Sequence, residues 1–153
     1  MTQPLAVELA DAAATENLGR RLATLLTAGD LVVLIGGLGA GKTTLTRGLG
    51  DGLRVRGPVT SPTFVISRRH PSLAEGPALV HVDAYRIGSA GEMDDLDLDV
   101  DDAVTVIEWG TGLVEHLADS RLEVCITVTE DSRVATLTGY GPRWTGINVA
   151  TYI

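Results

Sequence analysis

At 153 residues the chain has the length of one domain with its own core, and 44% hydrophobic against 21% charged residues excludes a disordered or fibrous chain. A net charge of −8 excludes a chain that grips nucleic acid by itself, because such binding works by neutralising phosphates. No apolar run reaches the roughly 18–20 residues of a membrane span, no basic-then-apolar leader precedes Glu8 and Asp11, and the lone Cys125 cannot form an internal disulfide. The expected location is cytoplasmic, with no membrane contact.

Leu5–Ala10 reads as an edge strand. Thr15 is placed to cap a helix running to about Ala28, with Leu18, Leu22, Leu25 and Leu26 on one face and Gly29 as its stop. Leu31–Ile35 is an all-apolar run, the pattern of a strand buried on both faces of a parallel sheet. Glycines follow, then a helix over about Lys42–Leu53. Strands are predicted at Phe64–Arg69, Ala78–Val82 and Val104–Ile107, and a short helix at Gly112–Ala118. Leu122–Thr129 and Arg133–Tyr140 read as a hairpin turning near Glu130-Asp131, and Cys125 within it as a small buried hydrophobe. Apolar strands alternating with helices predict a single α/β domain over residues 1–153. Its sheet should be mostly parallel, flanked by helices and carrying antiparallel edge strands.

Gly36-Gly37-Leu38-Gly39-Ala40-Gly41-Lys42-Thr43 fits the P-loop (Walker A) pattern, and it lies where the pattern requires, between a strand and a helix. The glycines of such a loop let backbone N–H groups turn inward around phosphates, while the helix offers them its positive end. Gly37, Leu38, Gly39, Ala40, Gly41 and Thr44 would line the cradle, Lys42 would neutralise the β- and γ-phosphates, and the Thr43 hydroxyl would hold Mg²⁺. Lys42 is the only lysine among 12 basic residues. A compact point charge therefore stands at the position where a planar guanidinium fits poorly. The asparagines are Asn17 and Asn148, neither in an Asn-Lys-x-Asp segment that would select guanine, so ATP is the expected nucleotide.

Two predicted strands run into acids, Asp83 and Glu108. Ligands of doubly wound sheets bind beyond the carboxyl ends of the strands, so both acids can face the triphosphate. Hydrolysis needs one carboxylate near Mg²⁺ and one group orienting water. Arg86 can pair with Asp83 or reach phosphate, and spacing leaves that choice open. His70, His81 and His116 lack metal-ligand spacing. Seven acids fall within Glu92–Asp102. A calcium loop starting at Asp97 would need glycine where Asp102 stands, so the run reads as a solvated surface or a docking surface for a basic partner.

Together, Thr15, Leu38–Thr44, Val59-Thr60-Ser61-Pro62-Thr63-Phe64, His81-Val82-Asp83-Ala84-Tyr85-Arg86 and Ile107-Glu108-Trp109 resemble the TsaE (YjeE) family, bacterial ATPases of tRNA threonylcarbamoyladenosine biosynthesis. The resemblance implies an accessory ATPase supporting turnover of the TsaD–TsaB pair, which transfers threonylcarbamoyl to tRNA, so that tRNA is met only indirectly. It implies further that Thr15 lies near the adenine, that Thr43 and Glu108 serve Mg²⁺, and that Asp83 helps the water. Ser61–Thr63 would sense the γ-phosphate. Gly37 departs from the aspartate common in the family, and Gly110 from the proline usual after Glu-Trp. Two alternatives remain: a small-molecule kinase, for which Arg68-Arg69 is the adjacent pair available as a lid, and a nucleotide-gated binding module.

Overall fold

Leu31–Ile35 forms the central strand, β2, of a seven-stranded sheet, and its Val32, Val33 and Leu34 are completely buried. The computed structural model of the chain describes residues 1–37, 39–59, 67–84, 100–109 and 117–153. Along the chain run β1 (Leu5–Leu9), α1 (Ala12–Ala23), β2, α2 (Lys42–Leu53), β3 (Ser67–His70), β4 (Ala78–Asp83), β5 (Ala103–Glu108), β6 (Arg121–Val128) and β7 (Arg133–Tyr140). Two short 3₁₀ turns, Pro142–Trp144 and Val149–Thr151, follow. The strand order is β1-β7-β6-β2-β5-β4-β3.

The four central strands, β6, β2, β5 and β4, are parallel. Outside them β7, β1 and β3 all pair antiparallel, so the sheet is mixed, with the expected parallel centre and antiparallel strands toward both edges. The reason is local: β6 and β7 are joined by a tight turn, with Val128 facing Arg133, and β3 folds back along β4. A parallel connection would need a longer crossover at each place.

Val32 and Leu34 of β2 join the core facing α1 and α2, whereas Leu31 and Val33 join the core of the opposite face. Both helices, the two among the described residues, cover the first face. On the second, Leu117 and Ala118 pack against the sheet. They end the segment predicted as a short helix, the rest of which lies outside the described residues, as does the first part of the Phe64–Arg69 strand. The helices meet closely at Gly48 and Gly19. A Cβ on Gly48 would overlap the Glu16 carbonyl oxygen, and one on Gly19 would sit 2.7 Å from the Leu49 nitrogen.

Three local expectations are corrected. Asp11, not Thr15, caps α1: its carboxylate accepts from the Ala14 N–H at 2.8 Å, and Thr15 lies inside the first turn. Three alanines at positions 12–14 favour helix, so the turn begins one cap earlier, a contact worth about 1 kcal/mol. The helix ends at Ala23 rather than Ala28, where the Thr24 hydroxyl donates to the Arg21 carbonyl. Leu25 and Leu26 stay buried in the turn that follows, and Gly29, with φ of 93°, completes that turn into β2. Cys125 is only half-buried, because β6 alternates and turns Leu122, Val124 and Ile126 toward the helices instead.

The Gly141–Trp144 segment, unassigned from sequence, locks the end of the sheet remote from the glycine loop. Arg143 donates to both carboxylate oxygens of Asp30 at 2.9 and 3.0 Å and to the Leu25 carbonyl at 2.9 Å, and it lies against the buried Trp144.

Candidate active site

The loop from Gly36 to Gly41 joins the carboxyl end of β2 to the start of α2. Gly36 passes so close to β6 that a Cβ there would lie 2.9 Å from the Ile126 carbonyl oxygen, and the Ala40 N–H bonds back to Gly37 at 3.2 Å. Gly41 occupies the N-cap with φ of 113°, a conformation open chiefly to glycine, and no side chain caps this end of α2. The first-turn N–H groups of such a helix, with its dipole, suit an anion.

Lys42 is the first residue of α2 and is 6% exposed. Its Nζ donates to the carbonyl oxygens of Gly36 at 2.5 Å and Gly37 at 3.3 Å, and it sits 3.7 Å from the centre of the Trp109 ring. Burial pushes the Lys42 pKa down, and the charges of Glu108 and Asp83 push partly the other way. The ammonium is thus held by loop carbonyls and an aromatic face, within the field of both acids.

Those acids arrive by strand register. Asp83 ends β4 and faces Glu108, which ends β5, in the parallel ladder. Alternation puts His81 and Asp83 on one side of β4, and Val106 and Glu108 on one side of β5. Val106 and Leu79 belong to the core under α1 and α2, so all three polar groups face the end of the sheet where α2 begins. Glu108 is 5% exposed, and the Nε2 of the fully buried His81 lies 2.6 Å from Glu108 Oε2, at hydrogen-bond distance. Beyond Glu108 the chain turns sharply: Trp109 has φ of 64°, which a bulky residue rarely adopts, and this brings its ring over Lys42.

The structure therefore brings together Lys42, Asp83, Glu108, Gly37, Gly39, Ala40 and Gly41, with Thr43 and Thr44 half-buried in the same first turn. Thr15 joins them: its Cγ2 lies 3.5 Å from where a Gly41 Cβ would be. Leu38, Ser61–Thr63, Arg86, His116 and the acidic run as far as Asp99 lie outside the described residues. Arg69, half of the pair considered as a kinase lid, is tied to Asp102 at 2.9 Å on the exposed edge of the sheet.

Two residues escaped the sequence reading. Arg133, at the start of β7, donates from Nη2 to the Gly39 carbonyl at 2.9 Å and so braces the glycine loop. No spacing signals this, because it depends on β6 running parallel to β2 and delivering the β6–β7 turn to the loop. His81 contacts Glu108 without showing ligand spacing; its place two residues before Asp83 in an alternating strand was the available clue.

The donor set suits a hard cation carried by a phosphate chain. Glu108, Asp83 and the Thr43 hydroxyl offer oxygen, and among the described residues no three His, Cys, Asp or Glu side chains gather into a metal cage. Magnesium commonly takes one or two protein oxygens and completes its shell with phosphates and water. A groove of about 520 Å³ beside Met1–Leu5 and residues 145–150 contains none of these groups.

The family described as "Threonylcarbamoyl adenosine biosynthesis protein TsaE" matches residues 9–135. A Streptomyces coelicolor tRNA threonylcarbamoyladenosine biosynthesis protein TsaE is 61% identical over 142 residues, spanning 88% of this chain and 96% of that one. The protein of the same name from Mycobacterium tuberculosis is 50% identical over 80% of this chain and 79% of its own. Among solved structures, Bacillus subtilis YdiB superposes with a TM-score of 0.74 at 28% identity, covering 95% of this chain and 91% of its own.

Proposed function

The chain belongs to the TsaE family, which serves threonylcarbamoyladenosine biosynthesis, and from that premise we propose that it is a magnesium-dependent ATPase of P-loop fold. In this reading residues 1–153 form one cytoplasmic domain, an accessory subunit that supports turnover of the TsaD–TsaB pair. The observation that carries the reading is the placement of Lys42. It is buried at the open end of α2, held by two loop carbonyls, and within the field of two strand-end carboxylates.

On nucleotide binding, Lys42 exchanges the Gly36 and Gly37 carbonyls for β- and γ-phosphate oxygens, while loop N–H groups take the remaining phosphate oxygens. Thr43 and Glu108 would hold magnesium, which would supply charge neutralisation to the bound triphosphate. Asp83, beside Glu108, orients the attacking water, and Thr15 borders the adenine side. With −8 net charge the chain meets tRNA only through its partners.

Phosphate release by the isolated protein is expected to be slow and to rise when TsaD and TsaB are added, with tighter association under ATP than under ADP. Asp83→Asn and Glu108→Gln should depress hydrolysis far more than nucleotide binding. Parental rates in both variants would remove the acids from the mechanism. Absence of stimulation and of nucleotide-sensitive association would sink the partner assignment while leaving the ATP site standing. A phosphorylated small molecule as product would favour the kinase alternative.

A further inference from the structure

His81 has no exposed surface, and its Nε2 lies 2.6 Å from Glu108 Oε2. The other ring nitrogen, Nδ1, is also buried and has no hydrogen-bond partner among the described residues. Carboxylate oxygens only accept, so the ring nitrogen that faces Glu108 carries the proton and Nδ1 is left bare. The ring is therefore a one-way donor into Glu108. Its position is set by strand register, with His81 opposite Val106 and Asp83 opposite Glu108, and by the packing of Leu79 and Val106 beneath the helices.

A glutamate at the end of a strand has three side-chain torsions to fix. A rigid donor on Oε2 removes that freedom and leaves Oε1 as the oxygen a cation would take. We propose that His81 is a positioning residue: it holds Glu108 in the one orientation in which that carboxylate engages the nucleotide-bound magnesium. The proposal rests on the reading of Glu108 as the magnesium ligand. Partners of ligating carboxylates set metal affinity by about 10- to 100-fold. Because the His81 ring hydrogen-bonds to Glu108 and to neither the loop nor Lys42, its effect should be confined to magnesium.

The test measures ATP affinity by calorimetry in EDTA and across a magnesium titration, for the parent, His81→Phe, His81→Gln and Glu108→Gln. His81→Phe keeps a ring but removes the donor. It should raise the magnesium needed for half-maximal tightening by roughly 10- to 100-fold while leaving magnesium-free affinity within about twofold. His81→Gln, whose amide can replace Nε2, should restore most of the loss. In a Glu108→Gln background, His81→Phe should add nothing. If the phenylalanine variant does not fold, His81→Asn makes the same comparison, since its amide ends short of the Nε2 position. An unchanged magnesium requirement in a folded donor-less variant, or an equal further loss in the Glu108→Gln background, overturns the proposal alone. If Glu108→Gln itself leaves the magnesium requirement unchanged, the reading of Glu108 as ligand falls, and the proposal with it.

Discussion

Replacing Gly48 with alanine sets two opposing effects against each other at a single helix position. Alanine is favoured over glycine in a helix interior by about 1 kcal/mol. Against that, the new methyl would overlap the Glu16 carbonyl oxygen and lie 2.8 Å from its carbon and 3.1 Å from the Glu16 Cα. Carbon contacts are comfortable at about 3.5–4.0 Å, so α1 must retreat by roughly 1 Å from α2. The retreat loosens Leu18, Leu22, Leu45 and Leu49, which fill the space between the helices and the sheet. Overpacking costs typically about 1–3 kcal/mol, and rigid backbone places this site at the top of that range, so a net loss of about 2 kcal/mol is expected after the propensity gain. At about 2–4 °C per kcal/mol for this chain length, Tm should fall by roughly 4–8 °C. Gly50→Ala is the control, with the same propensity gain but with obstacles, Val59 Cγ2 at 2.7 Å and Val55 Cγ2 at 3.2 Å, that are side chains able to turn. Urea unfolding of both variants tests the ranking, and a Gly48→Ala protein as stable as Gly50→Ala would refute it.

Removing the Glu108 charge with Glu108→Gln should lower the Lys42 pKa further, because burial depresses it and Glu108 is the first of two charges opposing that depression. As the chain holds no other lysine, acylation of the ε-amine against pH reads this directly, and an unchanged or raised value would place Glu108 away from the loop. His70 carries a separate pH dependence: burial lowers its pKa, its Nδ1 contacts the Arg56 carbonyl at 3.2 Å, and its Nε2 is buried without a partner among the described residues. The unfolded chain then takes up the proton more readily, so the His70 contribution is whole above pH about 6.5 and is lost as pH falls below it. Unfolding free energy measured from pH 7.5 to 5 should fall less steeply in His70→Gln than in the parent; equal slopes would contradict the assignment.

What could be read in advance was whatever depends on near neighbours. Leu31–Ile35 and Lys42–Leu53 emerged with the observed limits because a five-residue apolar run and a glycine loop ending in Lys-Thr constrain the chain locally. The carboxyl-end position of Asp83 and Glu108 followed from where the apolar runs stopped. Competition between neighbours was harder: both Asp11 and Thr15 are capping types, and the alanines at positions 12–14 decided for Asp11. What needed the assembled sheet was not readable. Arg133 reaches Gly39, and Arg143 reaches Asp30, only because distant strands lie side by side. His81 looked inert because ligand spacing is sought within one segment, whereas its partner comes from the next strand of the sheet.

The central strand also imposes a timetable on synthesis. The two strands that flank β2 join it at Thr105 opposite Leu31 and at Leu122 opposite Val32. At about 5–20 residues per second, a nascent Leu-Val-Val-Leu-Ile segment waits on the order of 4–14 s before either neighbour exists. During that interval it is a short, uncharged, β-prone stretch with both edges unpaired, the kind of segment that seeks partners in other chains. The amphipathic helices on either side of it, completed by residue 53, are the first elements able to shelter one of its faces. Crowded translation or slowed elongation between residues 53 and 105 is therefore where this protein is most exposed to aggregation.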